Sequence, residues 1–179
     1  APTGTAFVRL ESVACLWHTL DRASKRNALI AHLFWSSDMP LTATEIRDAL
    51  AGIVGSDGIV TDTEKMGAWL NEPRKRFHQT ASAIVTPPSV EAVQKVMAWA
   101  NQNHVGIVPQ GGNTGLVGAQ VPLSGREVIL SLHKLDRIRS INAGAGVMTA
   151  EAGVILENAH RAAEAEEAMF PLWLASAGG

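Results

Sequence analysis

The chain has 179 residues, 46% of them hydrophobic and 18% charged, with a formal net charge of -2. That length holds one domain with a proper core, or one small domain plus an extension, but not two full-sized domains, and the near-neutral balance excludes a disordered polyelectrolyte and argues against nucleic acid as a ligand. The single cysteine, Cys15, excludes an intrachain disulfide framework, and no uninterrupted apolar run reaches the ~20 residues that cross a bilayer.

Residues 1–38 carry Arg9, Arg22, Lys25 and Arg26 against only Glu11 and Asp21. Their mix of apolar residues with Ser and Thr suits an irregular extension of unknown role or a transit segment. A cytoplasmic protein is expected, or a mitochondrial one if the stretch is a transit segment. Residues 39–82 read as a helical lead-in. Thr42 and Glu45 form a capping box before Ile46, Leu50, Ile53 and Val54, which share one helical stripe closed by Gly55, so a helix is predicted over 42–54. Next come a turn at Ser56, Asp57 and Gly58, a short helical segment near 64–70, and the basic run Arg74, Lys75, Arg76, which reads as a solvated face.

Residues 83–179 read as a mixed α/β (α+β) region. Ala83, Ile84, Val85 and Thr86 predict a strand stopped by Pro87 and Pro88. Ser89 then caps a helix over 89–102 that is expected to bury Val93, Val96, Met97 and Ala100. A second strand is predicted over 105–108, and two parallel strands joined by a helix make a β-α-β unit. Further strands are predicted over 127–132 and 147–151, with a turn at 144–146 before the second and a helix over 153–168 after it.

The β-α-β unit delivers the chain into Gln110, Gly111, Gly112, Asn113, Thr114, Gly115, Leu116, Val117 and Gly118. Glycines lack a Cβ, so the backbone can turn several N–H groups toward one centre and form a nest for an anion such as phosphate, with Thr114 and Asn113 adding side-chain donors. A side chain at Gly112 is expected to block such a ligand. No Lys followed by Ser or Thr closes a Walker pattern, and the spacing is not Gly-x-Gly-x-x-Gly, which disfavours a P-loop NTPase and a Rossmann dehydrogenase. On spacing alone, a tight surface connection is as good a reading as an anion nest.

The stretch PQGGNTGLVG over residues 109–118 closely resembles the pyrophosphate loop of the FAD-linked oxidases related to vanillyl-alcohol oxidase, whose flavin domain is of the PCMH type. The branch it is most similar to is the D-lactate and D-2-hydroxyglutarate dehydrogenases. AIVTPPSVEAV over 83–93 resembles the first strand and helix of that domain, and VILSL (128–132), KLDRI (134–138) and EAGVIL (151–156) resemble its subsequent strands. The likeness runs from about residue 73 to 174; the loop is specific and the flanking patterns are generic. It implies FAD as cofactor, with Pro109, Gln110, Gly111, Gly112, Asn113, Thr114, Gly115, Leu116 and Val117 as its binding residues. It also implies oxidation of a D-2-hydroxy acid to a 2-oxo acid, with electrons passed to an external acceptor.

The chain departs from the family after FPL (170–172), where WLASAGG (173–179) stands in place of a second glycine-rich run. Ala177, Gly178 and Gly179 either echo the end of that run or coincide with it. The 83–179 region is therefore expected to be a partial flavin domain, incomplete for catalysis by itself, and no catalytic residue carries over. The alternatives are a truncated non-catalytic remnant and an unrelated phosphate-binding module. His78, His104, His133 and His160 are scattered without an i, i+4 pair, so no metal is assigned. Trp17, Trp35, Trp69, Trp99 and Trp173 are expected to pack in the core.

Overall fold

The computed structural model describes residues 41–77 and 80–176. Readings that fall on residues 1–38, including Cys15, Trp17 and Trp35, on His78, and on Ala177, Gly178 and Gly179 lie outside the described residues.

Helix α1 (Ala43–Val54) starts where its capping box requires. The Thr42 N–H donates to Glu45 Oε2 at 2.7 Å, and the Glu45 N–H donates to Thr42 Oγ1 at 3.2 Å. Gly55, at φ 81°, ends it. Its stripe of Ile46, Leu50 and Val54 is buried, with Ile53 packed at the margin. The segment near 64–70 contains only one helical turn, α2 (Gly67–Leu70).

Four strands form one sheet in the order β1-β2-β4-β3: β1 (Ile59–Val60), β2 (Ala83–Val85), β3 (Ile107–Gln110) and β4 (Val128–Ser131). Strand β1 is antiparallel to β2, while β2, β4 and β3 are parallel, with Ala83 and Ile107 both opposite Val128. The predicted β-α-β unit is present as β2, helix α3 (Val90–Gln102) and β3, but β4 lies between its two strands. The central strands are buried on both faces, as their unbroken apolar runs require. One face sets Ala83, Val85, Val128 and Leu130 against Ile46, Leu50, Val54 and Val96; the other sets Ile84 and Ile129 against Met66, with Trp69 and Leu70 alongside. Burying each of these large aliphatic side chains stabilises the fold by roughly 1.5–3 kcal/mol.

Three details differ from the sequence reading. In α3 the buried stripe is Ala92, Val96 and Ala100, spaced four apart, with Val93 half-buried; Met97 is 46% exposed because it sits about 100° around the helix from Val96. Strand β3 begins at Ile107, since the Val105 N–H closes onto Ala100 O at the helix end, and it includes Pro109, which an edge strand tolerates. Trp69 and Trp99 pack against the core, but Trp173 is 77% exposed and stacks on His160, ring centres 4.4 Å apart.

A second sheet pairs β5 (Ile138–Asn142) with β6 (Val147–Ala150), antiparallel, around a 3-10 turn at Ala143–Ala145 and Gly146 at φ 65°. Strand β5 is not among the predicted strands, because the adjacent polar residues Arg139 and Ser140 interrupt its apolar alternation. Helix α4 (Leu156–Ala165) is shorter than the predicted 153–168. Its start is delayed because the Gly153 N–H donates to Leu135 O at 2.8 Å, locking residues 152–153 into a turn. Its end is set by Glu167 at φ 53° and the Ala168 N–H donating back to Ala163 O. Among the described residues no helix is long and apolar enough to cross a membrane.

Candidate phosphate-binding site

The glycine-rich loop leaves the carboxyl end of β3, the edge at which parallel α/β sheets characteristically bind ligands. Pro109 and Gln110 are still in the strand; residues 111–117 are irregular, and all are exposed except half-buried Asn113. No described residue accepts a hydrogen bond from the backbone N–H of Gly111, Gly112, Asn113, Thr114, Gly115, Leu116 or Val117. A Cβ built on Gly111 meets no atom within 4 Å, so that backbone borders open space. Gly111 and Gly112 line a cleft of about 370 Å³ shared with His133, Asp136 and the turn before α4; Thr114 lines a second, of about 360 Å³, with Glu151 and Phe170.

The loop is held from behind by its own side chains. Gln110 is 2% exposed, and its Nε2 donates to Trp69 O at 2.9 Å and Gln120 O at 3.1 Å. Asn113 Nδ2 donates to Asn71 O at 2.9 Å and faces Trp69 O at 3.3 Å and Ala68 O at 3.4 Å. These are the open carbonyls at the end of α2, which a helix terminus leaves without intrahelical donors. Three carbonyls around one group fix the amide's orientation, because the reversed side chain would set oxygen against oxygen. The Asn113 side chain thus braces the loop, and the expected phosphate donor there is its backbone N–H; its Oδ1 is buried without a partner. Asn113 lies at φ 57°, a left-handed position that Asn tolerates, and Gly118 at φ 80°. Gln120, missed in the sequence, completes the brace, with Nε2 donating to Gly115 O at 2.6 Å.

Glu151 closes the far side. Its side chain is 3% exposed and accepts from Arg139 Nη2 at 2.9 Å, Arg137 Nη2 at 3.3 Å and the Arg137 N–H at 3.2 Å. The Arg139 guanidinium is the main cause that holds its carboxyl below the ordinary value, against burial, which raises it, with Arg137 adding to the lowering. A carboxylate with a depressed folded pKa contributes stability that is present in full above its unfolded value and is lost as pH falls through the folded one. Thermal stability is therefore expected to drop on acidification below the ordinary carboxylate range in the parent and to drop less steeply in Glu151→Gln. Superimposable melting-temperature profiles against pH would contradict this.

His133 Nδ1 lies 3.0 Å from Ser131 Oγ, and His160 Nε2 lies 2.8 Å from Leu172 O, so both meet structural partners. Among the described residues no group of three or more His, Cys, Asp or Glu is placed to hold a metal ion.

Residues 81–178 match the family described as FAD binding domain, more than half of the chain. The D-2-hydroxyglutarate dehydrogenase of Stutzerimonas stutzeri is 33% identical over 138 residues, covering 77% of this chain and 30% of that protein. Its counterpart in Xanthomonas citri pv. viticola is 40% identical over 104 residues, covering 58% and 22%. The mitochondrial D-2-hydroxyglutarate dehydrogenase of Arabidopsis thaliana is 30% identical over 126 residues, covering 70% and 22%. The chain thus spans less than a third of the length of these curated relatives. Among solved structures, p-cresol methylhydroxylase with substrate bound superimposes with a TM-score of 0.60 at 23% identity, covering 69% of this chain and 25% of that one. Alkyldihydroxyacetonephosphate synthase does so with 0.61 at 18%, covering 72% and 26%. These likenesses establish the fold, the sequence match establishes the lineage, and the chain belongs to the FAD binding domain family, with a PCMH-type fold.

Proposed function

We propose that residues 111–117 cradle the pyrophosphate of FAD, as part of an oxidoreductase that converts a D-2-hydroxy acid to a 2-oxo acid. The observation that carries this reading is the run of loop N–H groups without acceptors among the described residues, on an exposed turn whose first glycine borders open space. A pyrophosphate is rich in acceptors and lacks donors, so it complements such a surface. The loop contains no Lys or Arg, and the backbone dipoles would offset the anionic charge. Charge-assisted hydrogen bonds of this kind contribute roughly 1.5–3 kcal/mol each. Thr114 Oγ1 is the one side-chain hydroxyl in the loop that can add to them, while Gln110 and Asn113 brace it and Pro109 fixes the strand's exit.

When bound, FAD supplies the hydride acceptor for oxidation at C2 of the hydroxy acid, and an external acceptor takes the electrons onward. The share of this chain is to bind and orient the diphosphate. Substrate-binding and proton-transfer residues are not assigned to it, in keeping with its span of less than a third of its relatives. In this reading residues 83–179 are the partial flavin domain, 39–82 its helical lead-in and 1–38 an extension. A cytoplasmic site, or a mitochondrial one if residues 1–38 are a transit segment, belongs to the same proposal.

The test is to purify the full chain, record its visible absorbance, and titrate FAD by flavin fluorescence. Flavin absorption bands or saturable quenching are expected. Inorganic phosphate bound with no preference for FAD would instead support a general phosphate-binding module, and binding of neither would overturn the reading.

A further inference from the structure

Glu72 is 2% exposed, a costly place for a carboxylate unless its oxygens are matched by donors. Here the donors are backbone. The Arg74 N–H donates to Oε2 at 2.7 Å, and the Arg76 N–H donates to Oε1. Burial raises its pKa, but these donors and the Arg76 charge outweigh that and hold it below the ordinary carboxylate value. A single buried side chain thus gathers residues 72–76 into a compact strap that leads into Phe77, and Arg74, Lys75 and Arg76 are exposed.

Both ends of that strap meet the glycine-rich loop. Just before it, Asn71 O accepts from Asn113 Nδ2 at 2.9 Å. At its far end the Phe77 ring lies where a side chain on Gly118 would go, with Cε2 2.4 Å from an ideal Cβ. Asn113 and Gly118 are the two positive-φ positions of the loop, and they bracket Thr114, Gly115, Leu116 and Val117. A strap fixed at one carboxylate therefore touches both points at which the loop backbone turns.

We propose that Glu72 is a positioning residue for the phosphate loop, holding the Asn71 carbonyl and the Phe77 ring against Asn113 and Gly118 so that the loop amides are set before a ligand arrives. This rests on the reading of residues 111–117 as an FAD cradle. It goes beyond that reading by assigning a role to a buried residue some forty positions upstream, outside the loop itself.

The experiment compares the full-length parent, Glu72→Ala, Glu72→Gln, Asn113→Ala and the Glu72→Ala/Asn113→Ala pair. Backbone order parameters from NMR relaxation, measured without flavin, are expected to be high at residues 113–118 in the parent and to fall below ~0.6 there in Glu72→Ala, while β2 and β4 stay rigid. The FAD dissociation constant is expected to rise ~10-fold in Glu72→Ala and by less in Glu72→Gln, which keeps one acceptor oxygen. In the Asn113→Ala background the same Glu72 change should have a smaller effect, because one of the two contacts that transmit it is already gone. If Glu72→Ala does not fold, Glu72→Gln carries both readouts, with a smaller shift in the same direction. Unchanged loop order parameters, or unchanged FAD affinity in a parent that binds FAD, would overturn the proposal. A parent that binds no FAD but whose loop still loosens in Glu72→Ala would uphold the positioning role and defeat the flavin reading alone.

Discussion

Gly111→Val is expected to leave the fold intact and to weaken FAD binding by more than ~100-fold. Two observations set these opposite effects at one position. A Cβ on Gly111 meets no protein atom within 4 Å, and its φ lies outside the positive region that disfavours side chains, so the folded chain accommodates the substitution. The same open space is the cleft bordered by Gly111 and Gly112, where in the proposed reading a ligand phosphate approaches the backbone. A branched side chain there holds phosphate away from the loop amides. Losing two such bonds, at roughly 1.5–3 kcal/mol each, exceeds the ~2.7 kcal/mol that corresponds to a hundredfold change. Gly111→Ala should fall between the two. The measurements are the melting temperature and a fluorescence titration with FAD. Parent-like affinity in Gly111→Val would remove this part of the loop from the site, and a large fall in melting temperature would contradict the open cleft.

Gly153→Ala is expected to act in the opposite way, through the fold. An ideal Cβ at Gly153 would lie 2.1 Å from Leu132 O and 2.9 Å from Leu135 O, and both neighbours are backbone rather than flexible side-chain ends. The Gly153 N–H donates to Leu135 O, and the Leu132 N–H donates to Gln110 O at 2.9 Å. Relieving the clash means parting the turn before α4 from the end of β4, and the strain passes directly to the residue at which the glycine-rich loop begins. Forced overpacking costs about 1–3 kcal/mol where side chains can yield, and a clash with fixed carbonyls belongs at or above the top of that range. Against a total stability of about 5–15 kcal/mol this is a large fraction, and at ~4 °C per kcal/mol the melting temperature should fall by ~10 °C or more. A shift under ~2 °C in thermal unfolding, at the ~4 °C per kcal/mol expected for this size, would show that the turn has more freedom than the contacts allow.

The two glycines differ in what near neighbours reveal about them. At Gly111 the chemistry is local: successive glycines free the backbone amides, and the motif over 109–118 carries the family likeness. At Gly153 nothing in the neighbouring residues announces a constraint, because the atoms that would collide belong to Leu132 and Leu135.

The sequence by itself determined what depends on near neighbours. Thr42, Glu45 and Gly55 bound α1 because caps act within one turn, and Ser89 starts α3 through a bond to the Ala92 N–H at 3.2 Å. The apolar runs at 83–86 and 127–132 marked strands, and the glycine loop marked a candidate anion nest. Only the tertiary structure decided what depends on distant segments. The insertion of β4 between β2 and β3 is a pairing choice among three similar apolar strands, and no local pattern orders them. Strand β5 forms despite its polar residues, because Arg139 within it and Arg137 just before it find a buried carboxylate in Glu151, more than ten positions further along the chain. The brace behind the loop joins Gln110 and Asn113 to carbonyls more than forty positions upstream, and Glu72 to a strap whose ends meet the loop. The physical reason is the same in each case: side-chain amides and carboxylates bind whichever backbone groups the packed core brings within reach, and that proximity is created only when the sheet and its two faces have assembled.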